Sequence, residues 1–506
     1  MKFNENATKE EVVNYMGKKA YKQSPKEELI FAVLTTFIED SYYENKTDRL
    51  DRIKSLVKAA DPKFVAKLAV YARTVFHMRS VFAVLIGELS KIHKGTSLVR
   101  KAIVQGVTRV DDITEIVSYL GVTNPIPNSV KKGINEALNK FDSYHFAKYR
   151  GENKTVKLID VVNLTHPKAT NPKTSEALRK LVKNELRNTD TWESKMSGGQ
   201  SAASTFNELL DSNKLGYMAL LRNLRNIANT GDTNLVKKVA AMISNTEQVK
   251  KSKQLPFRFL SAFEALEQNT DSTGVVFEED SDNTNILKNA VEEALMVSIQ
   301  NIPLLSGRTL ILSDNSGSMH GDKGGNSLTS AYSSRTTASI ANLFAVLYWM
   351  RSDNTFVGLF GDRLITPKLD RTKSILTNYK TIAQSSGDCG SGTERGIFDA
   401  IELLLQEKKK VERIVIFSDC QVGDGCDWYD DYGNRGDNFN KLLKKYQEFN
   451  PNVKVYTVNL KGYNNEMTSQ GNVMRLTGWS DKIFDIMERN EIAPETMVKE
   501  VETIEL

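Results

Sequence analysis

A run of oxygen-bearing side chains follows the apolar segment Thr309–Ser313. Asp314, Ser316 and Ser318 alternate with other residues in the stretch Asp-Asn-Ser-Gly-Ser. If Thr309–Ser313 is a strand of an open α/β sheet, this loop lies at its carboxyl end, the edge where such sheets bind ligands. Two hydroxyls two residues apart can face one ion, and a neighbouring carboxylate can neutralise its charge. The spacing therefore predicts a site for a divalent metal, with Mg²⁺ as the favoured ion.

Two further oxygen donors follow later in the chain. Thr393 lies in the segment GSGTERG, and Asp419 follows the apolar run Arg413–Ser418. The ends of neighbouring parallel strands meet at one edge, so both side chains are candidates to join the same ion. Asp and Ser are also favoured in helix N-caps, so the first motif alone fits a capping turn equally well. The position of both distal donors at predicted strand ends favours the metal interpretation.

Other chemistry finds little support in the sequence. We find no phosphate-binding GxxxxGK[ST] loop and no dense acidic two-metal cluster, and the five histidines are scattered. The three cysteines are an odd number without CxxC spacing, which argues against a disulfide framework or a zinc site and favours a cytoplasmic protein. The amino terminus has no apolar signal-peptide core, and no apolar run approaches membrane-span length. We expect no catalytic residues and no enzymatic activity.

The metal candidates need a sheet to position them, and residues 308–490 predict one. Apolar strand patterns alternate with helical patterns, which is typical of a doubly wound parallel sheet. The predicted strands are Thr309–Ser313, Thr355–Phe360, Arg413–Ser418 and Val453–Leu460. Predicted helices lie near 330–350, from about 393, and near 438–448.

Residues 1–300 instead predict one short helix after another. Phe64, Leu68, Tyr71 and Val75 share one helical face, and residues 82–92 repeat the pattern. Clusters of Gly, Pro and Asn break the run into short pieces. Stacked antiparallel helices of this kind form HEAT-like solenoids, although no repeat period establishes one here.

Charge is distributed unevenly along the chain. Residues 52–260 carry 35 Lys and Arg against 17 Asp and Glu, whereas residues 301–506 carry 24 against 27. The first part therefore suits an anionic partner, nucleic acid before a membrane surface. Candidate phosphate-binding residues are Arg73, Arg79 and Arg222. Any single cluster can equally be a solvated helix face.

Several blocks in residues 10–290 resemble the TROVE domain in order and rough spacing: Tyr71-Ala72-Arg73 with His77-Met78-Arg79, His145-Phe146-Ala147-Lys148-Tyr149-Arg150, Leu158-Ile159-Asp160 with Leu164-Thr165-His166-Pro167-Lys168, Ala219–Leu224, and Leu255-Pro256-Phe257. The DxSxS loop and its distal partners resemble the metal-ion-dependent adhesion site of von Willebrand A domains. The combination is that of the Ro autoantigen family and its bacterial and phage relatives.

The resemblance implies a ring of HEAT-like helical repeats followed by a doubly wound α/β domain. In that family, single-stranded 3′ ends of misfolded RNA enter a central hole, and small Y RNAs bind the outer basic surface. Lys148 and His166 match positions associated with Y RNA binding. The second basic position of the family is Glu152 here, for which Arg150 or Lys154 could substitute. In the A domain, Ser316, Ser318 and Thr393 would coordinate the ion directly, and Asp314 and Asp419 largely through water.

The expected organisation is a TROVE-like RNA-binding domain over 1–290, a metal-binding domain over 300–490 and an acidic tail over 491–506. The expected partners are Y-like small RNA, 3′ ends of misfolded RNA, and a protein such as an exoribonuclease at the metal site. We expect a monomer without membrane attachment, acting in RNA quality control or small-RNA stabilisation. The alternative is an adhesion-type protein-binding module with a merely structural helical half, which the basic surplus and the lack of a secretion signal disfavour.

Overall fold

The computed structural model describes residues 11–13, 19–21, 25–34, 46–93, 97–121, 125–151, 154–186, 192–254, 256–267, 282–320, 336–390, 395–420, 438–460, 473–477, 482–492 and 494–506. These residues divide into two compact units, Met1–Thr189 together with Ile486–Leu506, and Asp190–Asp485. One such unit can hold more than one domain, so the predicted boundary between 290 and 300 stays a prediction.

The first unit is built almost entirely from short helices. Its elements before residue 189 are β1 (Glu11–Val13), β2 (Lys19–Tyr21), α1 (Pro25–Leu34), α2 (Lys46–Ala59), α3 (Pro62–Thr74), α4 (Arg79–Ile92), α5 (Ser97–Gly106), α6 (Val110–Leu120), α7 (Asn128–Leu138), α8 (Ser143–Lys148), α9 (Leu158–Thr165) and α10 (Pro172–Val182). Helix α3 shows why these pieces form. Asp61 caps it by accepting a hydrogen bond from the Phe64 amide at 3.0 Å, Pro62 begins it, and Phe64, Leu68 and Tyr71 are buried as predicted.

The second unit joins more helices to a sheet. Its elements are α11 (Trp192–Ser197), α12 (Ala202–Asp211), α13 (Tyr217–Arg222), α14 (Leu224–Ala228), α15 (Thr233–Ile243), α16 (Thr246–Ser252), α17 (Pro256–Glu267), α18 (Asp282–Ser298), β3 (Thr309–Asp314), α19 (Gly317–His320), α20 (Thr337–Arg351), β4 (Thr355–Phe360), β5 (Leu364–Ile365), α21 (Ile375–Ser386), α22 (Arg395–Gln406), β6 (Arg413–Ser418), α23 (Asn438–Phe449), β7 (Lys454–Asn459) and β8 (Val473–Thr477). Helix α24 (Lys482–Ile492) contains the boundary between the units, and α25 (Pro494–Thr503) ends the chain.

The sheet has the strand order β5-β4-β3-β6-β7-β8, and every pair is parallel except β4 with β5. Phe417 of β6 stacks on Phe344 of α20 at 5.3 Å between ring centroids. Ile414 and Ile416 of the same strand pack in the core with α22 and α23. Alternate residues of a strand point to opposite faces, so helices cover both faces of the sheet. The predicted fold class, helical repeats followed by a doubly wound α/β domain, is confirmed.

The sequence pattern did not predict two strands of this sheet. Strand β5 has two residues and pairs antiparallel at one edge, and β8, with Arg475 inside it, forms the other edge. Edge strands are often short, and two residues, or five interrupted by an arginine, give a weak apolar signal.

The C-terminal residues belong to the core of the first unit. Met497 and Val501 of α25 are buried, and α25 packs on α1 and α3. Glu500 accepts hydrogen bonds from Tyr71 and Arg489, which links the last helix to α3. The acidic segment predicted as a helical tail is therefore a packed helix. None of the described helices is both long and apolar enough to cross a membrane.

Candidate metal site and nucleic-acid interface

The DxSxS loop follows β3 at the point where the sheet reverses its strand order. Strand β4 lies on one side of β3 and β6 on the other, so their carboxyl ends form the switch point where open α/β sheets bind ligands. Asp314 and Ser316 are each 1% exposed. The Ser316 amide donates to Asp314 Oδ1 at 2.9 Å, and the Ser316 and Ser318 hydroxyl oxygens lie 3.2 Å apart. The loop thus gathers three of the predicted oxygen donors.

Strand β6 brings its end beside this loop because it pairs in parallel with β3. Ser418 donates its hydroxyl hydrogen bond to Asp314 Oδ2 at 2.5 Å, and the next residue, Asp419, is buried. The following Cys420 adopts a left-handed backbone (φ 61°), and its amide donates to the Ser418 hydroxyl at 2.9 Å. The tight turn after β6 holds Ser418 and Asp419 next to the DxSxS loop. Thr393, the fifth predicted donor, lies outside the described residues.

Electrostatics at this edge favour a cation. Burial raises the pKa of Asp314 to about 7, the charge of Asp419 adds to the rise, and the hydrogen bond from Ser418 opposes it. A divalent ion would offset the same burial and repulsion. The donors are carboxylates and hydroxyls, the oxygen ligands that Mg²⁺ prefers. Burial and the charge of Asp388 raise the pKa of the Cys389 thiol to about 12, which keeps this neighbour from acting as a thiolate ligand.

A buried amide network supports the loop from behind. Asn342 of α20 donates to Asn315 at 2.8 Å and accepts from the Ser313 hydroxyl at 2.7 Å. Across the described ranges, no group of three or more His, Cys, Asp or Glu side chains is placed to hold a metal ion. The candidate site therefore depends on its serine hydroxyls. Sequence reasoning did not select Ser418 or Asn342, although Ser418 directly precedes a chosen residue.

Two candidate arginines of the first unit, Arg73 and Arg79, are held by carboxylates of α6. Arg73, 4% exposed, donates through Nε and Nη2 to the two Asp112 oxygens at 3.2 and 3.0 Å. Arg79 pairs with Asp111 at 2.8 Å, with Asp112 at 3.1 Å and with Glu115 at 3.2 Å. Burial alone would raise the pKa of Asp112, but its bonds to Arg73 and to backbone amides lower it.

This network gives two of the predicted RNA-binding residues partners inside the protein. The Arg73 guanidinium is enclosed and paired, which disfavours contact with a phosphate at the surface. Arg79 shares its donors among three carboxylates, which leaves it a structural role in joining α4 to α6. Contact of Arg73 or Arg79 with RNA stays a prediction, which these ion pairs disfavour.

The candidates on α8 and α9 have the opposite environment. Lys148 ends α8 and is exposed, with its Nζ near the rings of Tyr144 and Tyr149 at 5.7 and 5.6 Å. His166 is also exposed and caps α9 with a left-handed backbone (φ 47°). Arg150 is half-buried, and its carbonyl accepts a hydrogen bond from the Leu158 amide at 3.0 Å. Lys148 and His166 therefore lie exposed at the carboxyl ends of α8 and α9, where a phosphate could reach them.

The remaining candidates fall at other points. Arg222 ends α13 in the second unit and is exposed. Lys154, a predicted substitute for the missing family position, is also exposed, while Glu152 lies outside the described residues. Sequence reasoning did not select Arg109, which stacks its guanidinium on the Tyr149 ring at 4.7 Å.

The class of molecule defined so far is a helical-repeat protein joined to a doubly wound α/β domain with an oxygen-lined loop at its switch point. Comparisons with known proteins identify the class more closely. Residues 182–296 match the TROVE domain model. The fold is similar to the crystal structure of the Deinococcus radiodurans Ro (Rsr) protein, with a TM-score of 0.68 and 15% identity, over 92% of this chain and 100% of that one.

A short segment also matches much longer proteins. Telomerase protein component 1 of mouse is 38% identical over 84 residues, which are 16% of this chain and 3% of that protein, and the rat protein matches equally. The match thus spans only 3% of the length of these curated relatives. Together the comparisons confirm the resemblance to the Ro and TROVE family.

Proposed function

We propose that this chain is a non-catalytic RNA-binding protein of the Ro type. It binds the single-stranded 3′ ends of misfolded or structured RNA in a central hole and small Y-like RNA on its outer basic surface. In this role it acts in cytoplasmic RNA quality control or small-RNA stabilisation, as a monomer.

The observation that carries the proposal is the exposure of Lys148 and His166. Arg73 and Arg79, basic residues of the same unit, are tied to carboxylates, whereas these two side chains face solvent. Exposed cations release counterions when they neutralise phosphates, so they contribute to affinity for RNA. The match of residues 182–296 to the TROVE domain supports the same function from a different part of the chain.

A pair of matched RNAs tests the proposal. One is a stem with a single-stranded 3′ tail, and the other is the same stem with a blunt end. Fluorescence anisotropy should show tighter binding of the tailed RNA, since the hole admits only a single strand. Equal affinity for the two would exclude the 3′-end mode, and the absence of binding to either would exclude the function.

We propose further that Asp314, Ser316, Ser318, Thr393 and Asp419 bind one divalent ion, Mg²⁺ in the cell. The bound ion would supply positive charge at the switch point and attract a carboxylate from a protein partner, such as an exoribonuclease. The serine hydroxyls would face the ion, and Ser418 would keep Asp314 oriented through its hydrogen bond. The site would serve partner contact and not catalysis.

Isothermal titration with Mg²⁺ and Mn²⁺ tests this site. Asp314→Asn and Ser318→Ala should each weaken ion binding, and the second is the milder change because Ser318 is only partly buried. Both variants should keep wild-type RNA affinity, since the basic candidates lie elsewhere in the chain. If the wild type takes up neither ion, the metal site is refuted. If folded Ser318→Ala loses RNA binding, the two functions are not separate.

A further inference from the structure

Helix α8 presents an aromatic ring to solvent. Tyr144 is 50% exposed, although tyrosine is amphipathic and normally keeps most of its ring covered. Among the described residues, Phe356 of β4 is the other large exposed aromatic, at 53%. The two rings differ in their surroundings, because cationic and hydrogen-bonded side chains flank Tyr144.

The ring of Tyr144 is braced by its sequence neighbour. The His145 imidazole meets it edge-on, with 5.6 Å between centroids and 86° between planes. Asp142 fixes that imidazole through a 2.7 Å contact to Nδ1 and also accepts the His145 amide hydrogen bond at 3.1 Å. Phe141, which is buried, supports His145 from the interior at 5.6 Å. Tyr144 is thus a pre-oriented ring, which lowers the entropy lost on stacking against a ligand.

A cation lies one helical turn away. Lys148 follows Tyr144 by four residues, so both lie on one face of α8, and the lysine Nζ is 5.7 Å from the ring. An exposed cation–π contact of this length is weak, so the lysine is able to turn toward a phosphate. The neighbouring Tyr149 differs, because the Arg109 guanidinium covers it at 4.7 Å while pairing with Asp111.

We propose that Tyr144 stacks one unpaired RNA base while Lys148 neutralises the adjacent phosphate. The proposal rests on the RNA-binding function proposed above and assigns a chemical preference to one part of it. An exposed ring beside a cation is the arrangement that binds single-stranded nucleic acid, since every base has a face to stack. A base inside a duplex stem has both faces covered by its neighbours, so the nucleotide here comes from a loop, a bulge or an end.

Two probes and three variants of the full chain test the stacking. The first probe is a blunt-ended RNA stem-loop without a single-stranded 3′ tail, and its unpaired loop carries fluorescent 2-aminopurine. The second has the same stem and the same ribose-phosphate backbone, but its loop lacks bases. Tyr144→Leu should weaken binding of the first probe on the order of five- to 150-fold, the usual contribution of one stacked base. It should leave the abasic probe unaffected, and Tyr144→Phe should retain wild-type affinity and the quenching of 2-aminopurine.

Phe356→Leu is the matched control, since it removes an equally exposed ring and should change neither affinity. If the wild type binds the base-containing probe and Tyr144→Leu binds it equally well, the stacking site is refuted. RNA binding itself would still stand. Equal weakening of both probes by Tyr144→Leu would also overturn it, because Tyr144 would then act on the backbone or the fold. If the wild type binds neither probe, the proposed function itself fails, and the stacking site fails with it.

Discussion

Two groups of basic residues in the first unit are alike in sequence and opposite in structure. Arg73 and Arg79 pair with the carboxylates of α6, whereas Lys148 and His166 are exposed at the carboxyl ends of α8 and α9. A surplus of positive charge attracts RNA only where the charge is not already neutralised by the protein. The comparison shows that partner carboxylates, and not the local density of Lys and Arg, decide which residues can bind phosphate.

The largest effect should come from breaking the paired group. Asp112→Ala leaves Arg73 buried without its carboxylate, which should lower the free energy of unfolding by about 3–5 kcal/mol. Urea denaturation measures the change. Arg100→Ala, which removes the exposed pair with Glu136, is the control and should lose about 1 kcal/mol or less. If Asp112→Ala loses no more unfolding free energy than Arg100→Ala, Asp112 does not hold the two arginines as described.

The exposed group should affect binding and not stability. Replacing Lys148 and His166 together by Ala should weaken RNA binding about tenfold or more, because hydrogen bonds to charged groups are lost. Binding of a structured small RNA should fall more than binding of an unstructured tail, measured by filter retention.

The control for this pair removes two exposed lysines of the same unit, Lys58 and Lys63. That variant should change both affinities less. Equal losses for the two RNAs in the test variant would contradict a separate outer site at α8 and α9.

Lowering the pH should reduce the stability that Asp112 contributes to the fold. The pKa of Asp112 is lowered in the folded protein from its ordinary value of 3.8, so its ion pair stabilises the fold above that pH. This contribution is lost as the pH falls through the depressed folded value. The difference in unfolding free energy between wild type and Asp112→Asn should therefore shrink as the pH falls from about 5. A constant difference over that range would show that Asp112 does not titrate with the depressed pKa.

The smallest effect concerns Arg222. It is exposed at the end of α13, and its replacement by Ala removes at most one phosphate contact. The slope of log affinity against log salt should become less negative by about 0.7 for single-stranded RNA. An unchanged slope in repeated salt titrations would remove Arg222 from the interface.

Local patterns predicted the fold and the proximity of several candidate metal donors, while metal binding itself stays a prediction. The DxSxS loop and the strand before it are contiguous, and alternation of apolar strands and helices is sufficient to predict a parallel sheet. Parallel pairing of β3 with β6 then brings Asp419 beside Asp314, as expected from the strand-end rule. The edge strands β5 and β8 were missed because their apolar signal is weak.

Burial of individual charges could not be predicted in the same way. Arg73 and Asp112 are 39 residues apart in sequence, and only the packing of α3 against its neighbours brings them together. Tyr144 presents the reverse case, because it is half exposed although aromatic side chains are mostly well buried. Both outcomes depend on tertiary contacts that no periodicity records.

The central claim is that this chain binds RNA through phosphate contacts, and the salt dependence of wild-type affinity tests it most directly. With a single-stranded RNA bearing a free 3′ end, log affinity should fall linearly with log salt, by about 0.7 for each phosphate neutralised. Such a slope, reduced in the Lys148 and His166 variant, is the predicted result. Absence of binding at low salt, or an affinity independent of salt, would contradict the claim.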